Sequence, residues 1–233
     1  MKSKIFLFLI LLTLSFFGCS APSVFYLRPA GEEFHYDQGR EVVSRSDSVA
    51  TTFTNFEYQE GKTFSLYAEI SNNSSETFLV DPSLFYVEAF KPENKFITKY
   101  FVIDPEEKIS LIQEDIINTE TSKESAIGVN IFLGLINTVA DIESEAPVEK
   151  VIDDAVYWGN NAYNEAIEYD IQKENLQNMK SHWVNNVLRK TTLAPGEFIG
   201  GLFYIPIQPE ANLIILILPI GNTTHKFVFQ QKS

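Results

Sequence analysis

Cysteine and histidine are scarce in these 233 residues: one cysteine, Cys19, and three histidines, His35, His182 and His225. A lone thiol cannot close an internal disulfide, and histidines this far apart do not read as a metal set. His182 has Asn178, Met179, Asn185 and Asn186 as its helical neighbours, with no second histidine or carboxylate at ligand spacing, so it is read as structural or exposed and no metal or cofactor is expected. Positive charge is also short, 18 basic against 31 acidic side chains, a formal charge of −13. A surface of that sign repels phosphate backbones and excludes nucleic acid as a partner. The apolar run over residues 5–17 covers 13 positions, whereas a spanning helix needs roughly 20.

That run has another reading. Lys2 and Lys4 precede it, Gly18 and Cys19 close it, and Ser20 begins a polar stretch. A basic start, an apolar core and a small residue at its end predict an export signal over residues 1–18. Residues 15–20 resemble the lipobox of bacterial lipoproteins, with Phe16 and Phe17 where an aliphatic and a small residue are usual. The resemblance implies cleavage before Cys19 and acylation of its sulfur, hence a membrane partner through the N-terminal lipid. Each methylene buried in the bilayer would contribute about 0.8 kcal/mol. The implied address is the cell envelope, on the outer side of the cytoplasmic membrane or in the outer membrane. The alternative is an ordinary signal cut near Ala21 that discards Cys19. Cleavage before Cys19 loses two of the 18 basic side chains and none of the 31 acidic ones, moving the formal charge from −13 to −15.

Past the expected cut, residues 19–39 read as a lipid-anchored tether with a short strand over 24–27. From Val49 the apolar residues alternate. Phe64, Leu66, Ala68 and Ile70 point one way and Ser65, Tyr67, Glu69 and Ser71 the other, the mark of a half-buried antiparallel strand. Further strands are predicted over 78–80, 85–89 and 95–103. At Asp104 the period changes: a capping aspartate, Pro105, then Glu106 and Glu107 announce a helix with Ile109, Ile112 and Ile116 on one stripe. A polar break is expected over 118–125, then a helix over 126–141 that is apolar almost all round. Residues 151–190 read as one long helix or two collinear ones. Strand grammar returns after Thr191, over 198–205, 213–218 and 224–230.

Strands on both sides of a helical block must pair with one another to bury their apolar faces. The expected fold class is therefore α+β, an immunoglobulin-like antiparallel β-sandwich of about seven to nine strands. The sandwich is assigned to residues 40–104 and 191–233, and the helical insertion between its strands to residues 105–190. Two segments carry a resemblance. One is Ala68-Glu69-Ile70-Ser71-Asn72-Asn73 followed by Asp81-Pro82-Ser83; the other is Leu193-Ala194-Pro195-Gly196-Glu197 followed by Gly201-Leu202-Phe203-Tyr204-Ile205-Pro206. They resemble small immunoglobulin-like domains of exported bacterial proteins of unknown function, and they carry no catalytic residue across.

Catalytic motifs are missing as well. Gly61-Lys62-Thr63 ends like a phosphate loop, but Phe56 stands where the first glycine belongs and the segment joins two strands, so it reads as a hairpin turn. There is no Gly-x-Ser-x-Gly elbow. Glu106-Glu107 and Asp153-Asp154 open predicted helices, where acids suit the positive end of the dipole. Asp47-Ser48-Val49 resembles an O-linked sugar acceptor of some bacterial envelopes, and Asn72-Asn73-Ser74 and Asn222-Thr223-Thr224 match the N-linked one; all three are read first as turns.

The leading expectation is a non-catalytic envelope lipoprotein that binds or scaffolds another envelope protein. Its interface candidates are Ile131, Phe132, Leu135, Trp158 and Trp183 on the helical block. The alternatives are a glycan- or peptide-processing enzyme with carboxylates about 5 to 10 Å apart in a deep pocket, or a carrier with a closed apolar cavity between helices.

Overall fold

A computed structural model describes residues 23–31, 33–143 and 148–233, and the side chains of these outside 126–159. The leader, the lipobox and Cys19 lie outside the described residues, as do the side chains of Ile131, Phe132, Leu135 and Trp158.

Twelve strands and two long helices make up the described chain. The first eight strands are β1 Tyr26–Pro29, β2 Phe34–Asp37, β3 Arg40–Ser46, β4 Ala50–Glu60, β5 Thr63–Asn72, β6 Phe78–Val80, β7 Tyr86–Lys91 and β8 Lys95–Phe101. Helices α1 Pro105–Glu143 and α2 Val148–Asn185 follow, then β9 Thr191–Leu193, β10 Phe198–Pro206, β11 Leu213–Ile220 and β12 Thr223–Lys232. One sheet runs β1-β12-β11-β7-β8, the other β10-β5-β4-β3-β2, and β6 with β9 forms a separate ribbon. All strand pairs are antiparallel. The fold is the expected α+β sandwich with a helical insertion between β8 and β9.

Alternation decides what lies between the sheets. Phe64, Leu66, Ala68 and Ile70 of β5 are all buried and meet Val87 and Ala89 of β7, Ile214, Leu216 and Leu218 of β11, and Phe227 and Phe229 of β12 in one core. Phe85 and Phe203, from opposite sheets, pack edge to face with centroids 6.3 Å apart. Each fully buried side chain of this size contributes roughly 1.5–3 kcal/mol.

The two resembling segments meet at one corner. Asn72, at the end of β5, donates its amide to the carbonyls of Glu76 at 2.8 Å and Leu193 at 2.9 Å, while its backbone exchanges hydrogen bonds with Gly196 and Glu197. Gly196 supplies the left-handed conformation, φ 79°, that this corner requires. Gly61-Lys62 is the expected hairpin turn, joining β4 to β5.

Three expectations need correction. Residues 26–29 and 34–37 are not tether: β1 pairs with β12 and β2 with β3. The short strand expected over 24–27 overlaps β1; β2, β3 and β9 were unforeseen, and the strand count exceeds nine. The chain of residues 118–125 does not break. Hydroxyls of Thr119, Thr121 and Ser125 donate to the carbonyls of Asp115, Ile117 and Thr121 at 2.8, 3.0 and 3.0 Å, so this polar stretch satisfies itself inside a continuous α1. Finally, α2 ends at Asn185 instead of reaching residue 190, because Leu188 N–H and Leu202 N–H turn to partners across the junction with β10.

The helices form an antiparallel arm. Gln113 accepts from Lys180 at 2.6 Å, Glu120 pairs with Lys173, and Lys123 pairs with Asp170. Seven residues forward on α1, from Gln113 to Glu120, match seven back on α2, and three forward to Lys123 match three back. The arm is clasped to the sandwich at its foot. Asp104 caps α1 by accepting from Glu106 N–H at 2.9 Å, and Glu106 takes a bidentate pair of hydrogen bonds from Arg189, both 2.5 Å. Past α2, the backbone crosses β10 so closely that a Cβ on Gly201 would stand 2.6 Å from Leu188 N. Only glycine fits that crossing.

Candidate functional site at the foot of the arm

The arm rests on the outer face of the β10-β5-β4 side through a small second core. Ile112 and Ile116 of α1 and Trp183 and Val187 from the end of α2 close over Tyr204 of β10. Beside this core opens a crevice of about 580 Å³, lined by Tyr58, Glu60, Thr63, Ile103, Lys108, Met179, His182, Trp183 and Tyr204.

Each wall has a local cause. Met179, His182 and Trp183 stand three and four residues apart on α2 and so share one helical face. Lys108 is in the first turns of α1. On β4 a register shift between Phe56 and Tyr58 moves the alternation by one place. Phe56 packs against the sandwich core, whereas Tyr58 is turned out to meet the Tyr204 hydroxyl at 3.4 Å.

Tyr204 anchors the polar part. Its hydroxyl lies 2.6 Å from His182 Nε2, and His182 Nδ1 lies 3.2 Å from the Asn186 amide. With Asn186 donating to Nδ1, the ring carries its proton on Nε2 and donates to Tyr204, leaving the phenol hydrogen for Tyr58. Trp183 lies against the Tyr204 ring at a centroid distance of 5.0 Å. Burial first, then the hydrogen bond it donates to Tyr58, hold the Tyr204 phenol above the ordinary tyrosine range, so it stays protonated near neutrality. The crevice therefore offers aromatic surface, a neutral phenol and two charged side chains, Lys108 and Glu60.

Of the five interface residues inferred from sequence, Trp183 alone has a described side chain, and it is 7% exposed, committed to the foot of the arm. Exposed apolar side chains occur elsewhere on the arm: Tyr163, Ile167 and Ile171 recur every four residues along α2. His35 lies on the outer sheet face, in an open groove with Asp37, Arg40, Glu57 and Glu69. There Glu57 is bound to Arg40 at 2.9 Å and to the Asn55 amide at 2.8 Å.

His225 is buried and contacts Thr52 Oγ1 at 2.9 Å and Asp47 Oδ2 at 3.2 Å. Asp47 also accepts from Thr223 at 2.6 Å and from the N–H groups of Val49 and Ala50 at 2.7 and 2.9 Å, bracing the β3–β4 turn against β12. These donors, Thr223 first and Ala50 next, hold the Asp47 carboxyl far below the usual range. Ser48 is exposed beside it and shares a polar hollow with Asn73 and Asn222, so the three acceptor-like triplets fall at one end of the sandwich, the first in a turn and the other two where a strand meets one.

Among the described residues no group of three or more acidic, histidine or cysteine side chains could hold a metal ion. No described helix is long and apolar enough to cross a membrane. No family model, curated protein or solved structure matches the chain.

Tyr58, Glu60, Lys108, Met179 and Tyr204 were not singled out from sequence. Lys108 did carry a signal: a cation near the positive end of a helix works against the dipole. Such a local violation of a folding rule points to a use elsewhere.

Proposed function

We propose that this protein is a non-catalytic, lipid-anchored component of the bacterial cell envelope that binds or scaffolds another envelope component through its helical arm. The observation that carries the reading is the arm itself. Helices of 39 and 38 residues extend about 58 Å at 1.5 Å per residue, and the second core that seats them lies at the foot. A sandwich with its own closed core needs no such projection for stability. The stripe of Tyr163, Ile167 and Ile171, exposed by 67%, 40% and 55%, gives the arm an apolar face that the rest of the described chain leaves open. Membrane attachment in this reading rests on Cys19 following the apolar leader.

The test uses intact envelopes. Residues 105–190 are replaced by a short Gly-Ser linker, which the clasp between Glu106 and Arg189 makes feasible because the ends leave the sandwich together. Cross-linking is then compared with the full chain and with a variant carrying Ser at Tyr163, Ile167 and Ile171. The reading expects a defined cross-linked product that both variants lose while remaining in the membrane fraction. Products identical across all three proteins overturn the scaffold role. Separately, Cys19→Ser should abolish palmitate labelling and release the protein; unchanged attachment overturns the anchor.

A further inference from the structure

We infer that the crevice at the foot of the arm is a binding site for a small zwitterion with an apolar body, of the class of an unblocked hydrophobic dipeptide. The apolar part of the argument is the lining. Trp183 and Tyr204 form the floor, Ile103 and Thr63 the sides, and Tyr58 and Met179 the rim, where they are 42% and 44% exposed. Apolar side chains placed around a concavity of this size, with a few polar groups among them, are what small-molecule sites have in common. Methionine at the rim adapts its shape to different side chains.

The charges specify the rest. Lys108 enters from α1 and Glu60 from β4, so they come to the crevice from different elements. They do not pair with each other, and neither side chain has a hydrogen-bond or ion-pair partner among the described residues. Several other lysines of the chain are paired: Lys180 with Gln113, Lys190 with Asp81, Lys173 with Glu120. An uncharged apolar guest would take part of the water from the half-buried Lys108 and some from the exposed Glu60 and return nothing. A guest with one charge would satisfy one and leave the other without a partner, at a greater cost for the half-buried Lys108 than for the exposed Glu60. A guest presenting a carboxylate to Lys108 and an ammonium to Glu60 satisfies both while its side chains cover the aromatic floor. A dipeptide carries its two charges at opposite ends of an apolar body, which suits charges that enter from different elements. His182 and Tyr204, already bonded to each other, form a polar wall for the peptide group.

The two tryptophans of the chain are Trp158 and Trp183, so Trp158→Phe leaves Trp183 as the reporter in the crevice floor. The probe is Leu-Leu with free termini, titrated against the full-length Trp158→Phe protein while its emission is followed. A saturable blue shift is expected. N-acetyl-Leu-Leu should bind at least ten-fold more weakly in this background but equally weakly to Glu60→Gln and its parent. Leu-Leu amide should behave in the same way toward Lys108→Gln. Circular dichroism and the thermal midpoint of both variants should match the parent, since neither side chain has a partner to lose. Absence of a saturable change, or equal affinity for blocked and unblocked peptides, overturns the inference. The assay needs neither membrane nor scaffold partner, so its failure leaves the envelope reading standing, and failure of that reading leaves this one standing.

Discussion

The sandwich and the arm are built on opposite economies. Between the sheets, buried core positions come from ten strands spread along the sequence, and side chains such as Phe85, Leu216 and Phe227 have no exposure at all. At the foot of the arm a single small cluster, Ile112, Ile116, Trp183, Val187 and Tyr204, joins the helices to the sheet. Beside it Gln113 pairs with Lys180, and above it the described seam carries the polar pairs Glu120 with Lys173 and Lys123 with Asp170. The sandwich should therefore unfold as one unit, whereas the arm can lose its seat without destroying what it sits on.

Paired core truncations break this comparison most sharply. Phe85→Ala opens a cavity between the sheets and should reduce the stability of the whole sandwich by roughly 3–5 kcal/mol, seen as a lower urea midpoint for every probe. Trp183→Ala removes a comparable volume, yet its effect should be confined to the foot. Amide exchange should accelerate over residues 105–116 and 180–190 while β5 and β11 keep their protection. A global loss of protection in Trp183→Ala would erase the distinction.

A smaller effect isolates the brace at Asp47. Its folded carboxyl is held below the ordinary aspartate value, so its contribution is complete above about pH 4 and disappears as pH falls below that. Asp47→Asn should cost about 1 kcal/mol at pH 7, the modest end for charged hydrogen bonds because the side chain is partly open to water. The variant and the parent should converge as the pH is lowered toward 2. Denaturant melts at pH 7, 4 and 2.5 check this, and a constant gap across the series would assign the loss to something other than the charge. The smallest effect is expected in the seam: Lys123→Gln, which removes one exposed ion pair, should change stability by less than about 0.5 kcal/mol and less still at high salt.

What could be read from residue order follows the same division. The strands with one face in the core announced themselves, because period two in β5 and the unbroken apolar run of β11 leave few alternatives. β2 was invisible since all four of its residues are exposed and nothing alternates. β3 reads Arg-Glu-Val-Val-Ser-Arg-Ser, with its buried valines adjacent instead of alternating, and β9 is only three residues long. The helical caps at Asp104 were legible; the continuity of α1 was not, because threonine and serine that favour turns in isolation here donate back to their own helix. The crevice lay beyond reach for a different reason. It depends on a bulge after Phe56 that turns Tyr58 outward, and on a meeting of β4, β10 and two helices that no local pattern encodes.

The matched stepping along the arm, seven residues up one helix for seven down the other, carries an implication for how such a molecule can change over generations. Taking one such block from each helix, or adding one, would shift the tip by about 10 Å and return every remaining side chain to its former neighbour. Reach is thus a dimension that insertions and deletions can adjust in whole increments, like notches on a ratchet, with the sheets beneath left as they are.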